Sequence, residues 1–197
     1  MILTPAPVST WRKRVSGLTL VEVMISVAAG SLLLAVAASL WLFGSRSFAA
    51  MGNYTDLDAK SRNALDQMSR DIRQATGVTG FQDKGGTKWL TVTNTALGTG
   101  ATYTWNATPR TLVCQRAGQA DEVYLTECDR WDFDFYQRVP QKGGGYVFFP
   151  ATNMAGRYDL SICKLINMTW KCSRKILGSK VNTESVQTAQ VVLRNKQ

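Results

Sequence analysis

The chain has 197 residues, 45% apolar and 19% charged, a length and balance that suit one folded domain plus an extension. It contains no histidine, which removes the usual general base near neutral pH and the commonest metal ligand, and so argues against a hydrolase or a zinc site. The formal net charge of +9 is unevenly placed: Arg12, Lys13 and Arg14 precede residue 18, residues 18–156 carry 12 basic and 12 acidic side chains, and residues 157–197 carry 8 basic and 2 acidic ones.

The first element is a helix with an apolar start. After Trp11-Arg-Lys-Arg-Val-Ser-Gly17 comes Leu18-Thr-Leu-Val-Glu22, and then Val23 to Gly44 without a charge. That run of 22 residues spans about 33 Å as a helix, enough to cross the hydrocarbon core of a bilayer. The three basic residues sit just before it and favour a cytoplasmic N-terminus. The rest of the chain is then expected in the periplasm or its equivalent. A secretory signal places its small-residue cleavage site after a shorter apolar core. Here the candidate, Gly17, precedes the apolar run, so a cut there removes the basic leader and keeps the anchor.

Glu22 is the unusual residue. A carboxylate at the start of a span is costly without a partner. One reading leaves it solvated at headgroup level. The other pairs it with the α-amino group that cleavage would create on Leu18, one helical turn away, in its own chain or in a neighbouring copy.

The segment Gly17-Leu18-Thr19-Leu20-Val21-Glu22 with its apolar run resembles the class III signal of type IV prepilins and type II secretion pseudopilins. The resemblance implies that a prepilin peptidase cuts after Gly17 and methylates Leu18. It also implies that Glu22, at the fifth mature position, is the assembly residue. Many members begin the mature chain with Phe or Met where this one has Leu18. Many major subunits carry a proline where this chain has Ser39, which points to a minor subunit.

A second, amphipathic stretch of helix is expected from Tyr54 to Ala75. Leu57, Ser61, Ala64, Leu65, Met68, Ile72 and Ala75 form one stripe. Pairs at i, i+4 support it: Asp56 with Lys60, Asp58 with Arg62, Asp66 with Arg70. Gly77 and Gly80 read as the stop. The run Met68-x-x-Asp71-Ile72-Arg73-x-Ala75 is similar to this region of J-type minor pseudopilins and minor pilins.

The remainder reads as strands near 88–94, 101–106, 110–116, 122–126, 131–138, 146–149, 159–171 and 185–194. A hairpin loop is expected at Ala117–Asp121 and a turn at Lys142–Gly145. Trp131, Phe133 and Phe135 alternate with Asp132, Asp134 and Tyr136, which marks a half-buried strand. The two aspartates lack the oxygen-rich loop of a Ca²⁺ site and read as a solvated face. Gly143-Gly-Gly145 lacks the Lys-Ser/Thr ending of a phosphate loop and reads as a turn. No metal site and no cofactor are expected.

Cys114, Cys128, Cys163 and Cys172 all follow the proposed anchor, on the side where disulfides persist. Four cysteines allow three pairings. Closeness in sequence favours Cys114 with Cys128 and Cys163 with Cys172, and buried thiols are the alternative.

The expected fold is α+β: a leader at 1–17, a transmembrane helix at 18–44, its amphipathic continuation at 45–76, and an antiparallel β domain at 77–197. The expected function is that of a non-enzymatic minor pilin or pseudopilin, at the inner membrane and then in a filament. Its partners would be prepilin peptidase, other pilins, the inner-membrane assembly platform and lipid. The basic C-terminal tract is either a solvated sheet face or a contact for an acidic partner. Nucleic acid is weakly supported, since Trp170 is nearly its lone aromatic residue. The alternative function is a signal-anchored periplasmic binding protein with an uncut leader.

Overall fold

The computed structural model describes residues 17–95, 98–176 and 182–194. Most of the basic leader, and the middle of the polar loop before the last strand, lie outside these residues. The fold is α+β; among the described residues one long helix, α1 (Leu20–Gln74), is followed by nine strands. The chain divides into two units, Met1–Ser45 and Arg46–Gln197.

In the first unit α1 is helical and apolar. Leu32, Leu33, Leu34, Leu40, Trp41 and Phe43 are exposed, which water disfavours and hydrocarbon does not. The hydroxyls of this segment turn inward. Ser26 donates to the Glu22 carbonyl at 2.7 Å, Ser31 to Ala28 at 2.9 Å, Ser39 to Val36 at 2.8 Å and Ser45 to Leu42 at 3.0 Å. Each donor is satisfied within the helix, as an apolar solvent requires. Among the described residues one helix, α1, is long and apolar enough to cross a membrane.

The second unit holds two antiparallel sheets. The first is a meander, β1 (Gly77–Gln82), β2 (Thr87–Asn94), β3 (Thr99–Asn106), β4 (Thr111–Arg116) and β5 (Glu122–Leu125), in spatial order 1-2-3-4-5. The second sheet contains β6 (Cys128–Pro140), β7 (Tyr146–Pro150), β8 (Leu165–Lys175) and β9 (Asn182–Val192), in order 7-6-8-9. Alternation sets the inner faces. Leu90 and Val92, then Ala101, Tyr103 and Trp105, are buried from the first sheet, and Trp131, Phe133 and Phe135 from β6. Leu57, Ser61, Ala64, Met68 and Ile72 of α1 form the buried stripe that the spacing predicts. All but Ser61 join one core cluster with both sheets. Phe81 of β1 reaches across to β6, with its ring 5.1 Å from Phe135 and 6.3 Å from Phe133.

Three details differ from the sequence reading. The helix stops at Gln74, ahead of Gly77, and both Gly77 and Gly80 lie in β1, a strand not anticipated. Gly80 faces Trp89, and a Cβ there would come within 2.9 Å of the indole ring, so the ring occupies the space a side chain would need. Strand β8 starts at Leu165 rather than at 159, because Asp159 accepts from the Ser161 N–H at 2.9 Å and from its hydroxyl, closing a local turn. Of the three expected helix pairs, Asp56–Lys60 (2.9 Å) and Asp58–Arg62 (2.7 Å) form. Asp66 and Arg70 are both exposed and do not pair among the described residues.

Candidate functional site

The residues that the sequence singles out, Gly17, Leu18 and Glu22, stand at the first turn of α1. Gly17 and Leu18 precede the helix, and Leu18 is 75% exposed, so the peptide bond between them is in the open. Nothing lies within 4 Å of the space a Gly17 Cβ would take.

Glu22 is held by a residue the sequence reading passed over. Thr19 stands at the N-cap position. The Glu22 N–H donates to its hydroxyl oxygen at 3.3 Å. In return the Glu22 carboxylate accepts from the Thr19 N–H at 2.8 Å and from the Thr19 hydroxyl at 2.9 Å. This reciprocal arrangement is a capping box, and it satisfies two backbone donors at the helix start. The signal was present in the sequence as Thr-x-x-Glu ahead of an apolar run. Both Thr19 bonds go to Oε2, and among the described residues no group donates to Oε1. The positive end of the helix dipole favours the carboxylate at the helix start as well.

In the second unit, two clusters fix α1 to the sheets. Asp71 accepts from the Tyr103 hydroxyl at 2.7 Å and from Arg116 Nη2 at 2.7 Å. Arg116 also donates to the Tyr124 hydroxyl at 2.5 Å and pairs with Glu122 at 3.3 Å. Burial, reinforced by the Asp71 charge, pushes the Tyr103 phenol far above the ordinary tyrosine range. The Asp71 hydrogen bond likewise raises Arg116, which stays a cation at any working pH. The second cluster centres on Arg174 of β8. Its Nε and Nη2 donate to Glu127 at 2.8 and 2.6 Å, and Nη2 lies 2.9 Å from Asp56 of α1. Asp71 entered the sequence reading only as part of a similar run, and neither set of partners was visible there, because Tyr103 and Arg116 lie 32 and 45 residues from Asp71, and Glu127 lies 47 from Arg174.

Asp132 and Asp134 are taken up by side chains. Asp132 accepts from Lys88 at 2.7 Å and from Arg130, and Asp134 accepts from the Tyr158 hydroxyl at 2.9 Å. Among the described residues no three metal-ligating side chains come together. The Gly143–Gly145 segment links β6 to β7 as a turn, with Gly144 and Gly145 at positive φ.

All four cysteines are buried thiols. Cys114, on β4, is paired in register with Tyr103 and Glu122, and burial pushes its thiol up. Cys163 donates to the Leu165 carbonyl at 3.6 Å. Closeness in sequence does not become closeness in space for the two pairs it favours. Leu165 to Cys172 alone is about 23 Å of extended strand. The Cys128 N–H donates to the Arg110 carbonyl, which sets it about 13 Å along the strand direction from Cys114. Neither pair meets the Cα separation, below about 7 Å, that a disulfide needs. The register instead sets Cys128 opposite Cys172.

Residues 12–38 match the family model described as the prokaryotic N-terminal methylation motif. The match contains Gly17, Leu18, Thr19 and Glu22 and ends inside the apolar half of α1. No curated protein and no solved structure matches the chain.

Proposed function

We propose that this chain, a type IV pilin-like protein by its N-terminal methylation motif, is a minor pilin or J-type minor pseudopilin that works by packing. The observation that carries the reading is the order of parts at the start of α1. A basic stretch, an exposed Gly17–Leu18 bond and Glu22 on the first helical turn precede an apolar helix whose own hydrogen bonds are complete. The motif implies processing by prepilin peptidase and assembly with other pilins.

The physical sequence of events follows from these parts. The basic residues hold the N-terminus in the cytoplasm, and the apolar helix anchors the chain in the inner membrane. Residues 46–197 then lie on the periplasmic side. Cleavage after Gly17 removes the leader and leaves Leu18 with a methylated α-ammonium group. Glu22, whose Oε1 has lone pairs to spare, attracts that cation or the one on the neighbouring copy. The pairing offsets the cost of a carboxylate at the edge of hydrocarbon, so it sets the register of each added subunit. The exposed apolar side chains of α1 exchange lipid for other helices as the subunit leaves the bilayer.

The capping box favours a second reading, in which Glu22 only starts the helix and the chain is an uncut, signal-anchored periplasmic binding protein. Two measurements separate them. The intact mass of the chain isolated from its host should lack residues 1–17 and carry one added methyl group. A mass that still includes Met1 supports the second reading. In the filament reading, Glu22→Ala leaves membrane insertion intact and lowers filament incorporation at least tenfold. Thr19→Ala removes a cap, worth about 1 kcal/mol of helix stability, and leaves incorporation within a few fold. Equal losses in the two variants would assign Glu22 to capping alone.

A further inference from the structure

We infer that Cys128 and Cys172 form a cross-strand disulfide in the exported protein, a modification that joins β6 to β8 beneath α1. The two residues are direct partners in the antiparallel register of these strands. The Ser173 N–H donates to the Glu127 carbonyl at 3.0 Å, so the ladder bond flanks the pair and Cys128–Cys172 occupies a non-hydrogen-bonded site. Such sites are the narrow ones, with Cα atoms about 4.5 Å apart, inside the range that a disulfide bridges. Both side chains point into the core, 0% and 1% exposed. The surroundings hold the pair in place: the Cys128 carbonyl accepts from Trp105 Nε1 at 3.0 Å, and Ser61 of α1 stands beside Cys172. Cys114 is also buried but faces Tyr103 and Glu122 in register, and the buried Cys163 precedes β8, so neither stands opposite another cysteine.

The inference rests on the placement of residues 46–197 outside the cytoplasm proposed above. The oxidant required is a protein or small-molecule disulfide. One cysteine thiolate attacks it, forming a mixed disulfide and releasing one oxidant sulfur as a thiol. The second cysteine then attacks the first, forming the Cys128–Cys172 bond and releasing the other sulfur. The chain loses two protons and two electrons, and the oxidant's disulfide is reduced to two thiols. Because both sulfurs are buried in the folded chain, the exchange takes place during folding, before the core closes over them.

The test uses the full chain from its native membranes, alkylated before lysis and digested without reductant. Mass spectrometry should find the Cys128 and Cys172 peptides linked, with Cys114 and Cys163 alkylated once the chain is unfolded. In detergent, reduction should lower the Tm by roughly 5–15 °C. Cys128→Ser and Cys172→Ser should abolish that shift, while Cys114→Ser and Cys163→Ser keep it. Alkylated Cys128 and Cys172, or a link from either to Cys114 or Cys163, would overturn the assignment. Protease added to spheroplasts separates the two possible failures. A unit that protease reaches but whose two thiols are reduced sinks the pairing and spares the topology. A unit shielded from protease sinks the topology, and the oxidation in cells with it.

Discussion

Tyr103 shows how a single polar side chain can tie the helix to the first sheet. Its hydroxyl is buried and commits its proton to Asp71, so the folded chain keeps the phenol neutral well above the pH at which an unfolded tyrosine ionises. The sign follows from that difference. A group whose folded pKa is raised contributes stability that is present below about pH 10, the unfolded value, and is lost as the pH climbs beyond it. Denaturant unfolding between pH 8 and pH 11 should therefore show the wild-type free energy falling above pH 10. Tyr103→Phe should begin lower at pH 8, by about 1–2 kcal/mol for the lost hydrogen bond. Above pH 10 it should fall less steeply, by up to about 1.4 kcal/mol per pH unit for the one proton removed. Parallel curves would mean that the fold does not hold Tyr103 neutral. Tyr158, raised to about 12 by burial and by Asp134, adds to the slope in both proteins and cancels in the comparison.

At the scale of elements, the strands with a continuous alternation were legible and the others were not. Trp131, Phe133 and Phe135 announced β6 because every second residue is large and apolar, and the inner face of the second sheet needs that period. β1 was hidden because its glycines punctuate a helix equally well. The requirement for Gly80 comes from the Trp89 ring, a neighbour in space. Gly80→Val should cost about 1–3 kcal/mol, the usual range for a side chain forced into filled space, whereas Gly77→Ala, with nothing within 4 Å, should cost under about 1 kcal/mol. Equal Tm shifts for the two would mean that the ring swings aside freely. The motif at the helix start was readable because Gly17, Leu18 and Glu22 lie close together in sequence, although the cap that Thr19 supplies there was passed over. The Asp71 and Arg174 clusters and the Cys128–Cys172 register were not readable, since each depends on how separate strands align.

At the scale of the whole molecule, the question is what the basic excess of residues 157–197 is for. Part of it is spent inside the fold. Lys171 pairs with Glu184 at 2.8 Å, and Arg174 binds both Glu127 and Asp56, so it connects β8, the turn before β6 and α1. A cation held by two carboxylates offers little to a phosphate, because the same charge cannot be neutralised twice. Arg174→Ala should thus act on stability, lowering it by about 1 kcal/mol by leaving Glu127 without its partner while Asp56 keeps Lys60, a value tempered by the exposure of 26% and 32% at the Arg174–Glu127 pair. Duplex DNA titrated at several salt concentrations is the decisive comparison. A residue in a phosphate-binding surface lowers the salt slope by about one when removed. For Arg174→Ala the slope should stay within error of wild type while the Tm falls by several degrees. A lower slope with an unchanged Tm would move Arg174 from the scaffold to a nucleic-acid surface, and would restore to the C-terminal tract the role that its internal ion pairs argue against.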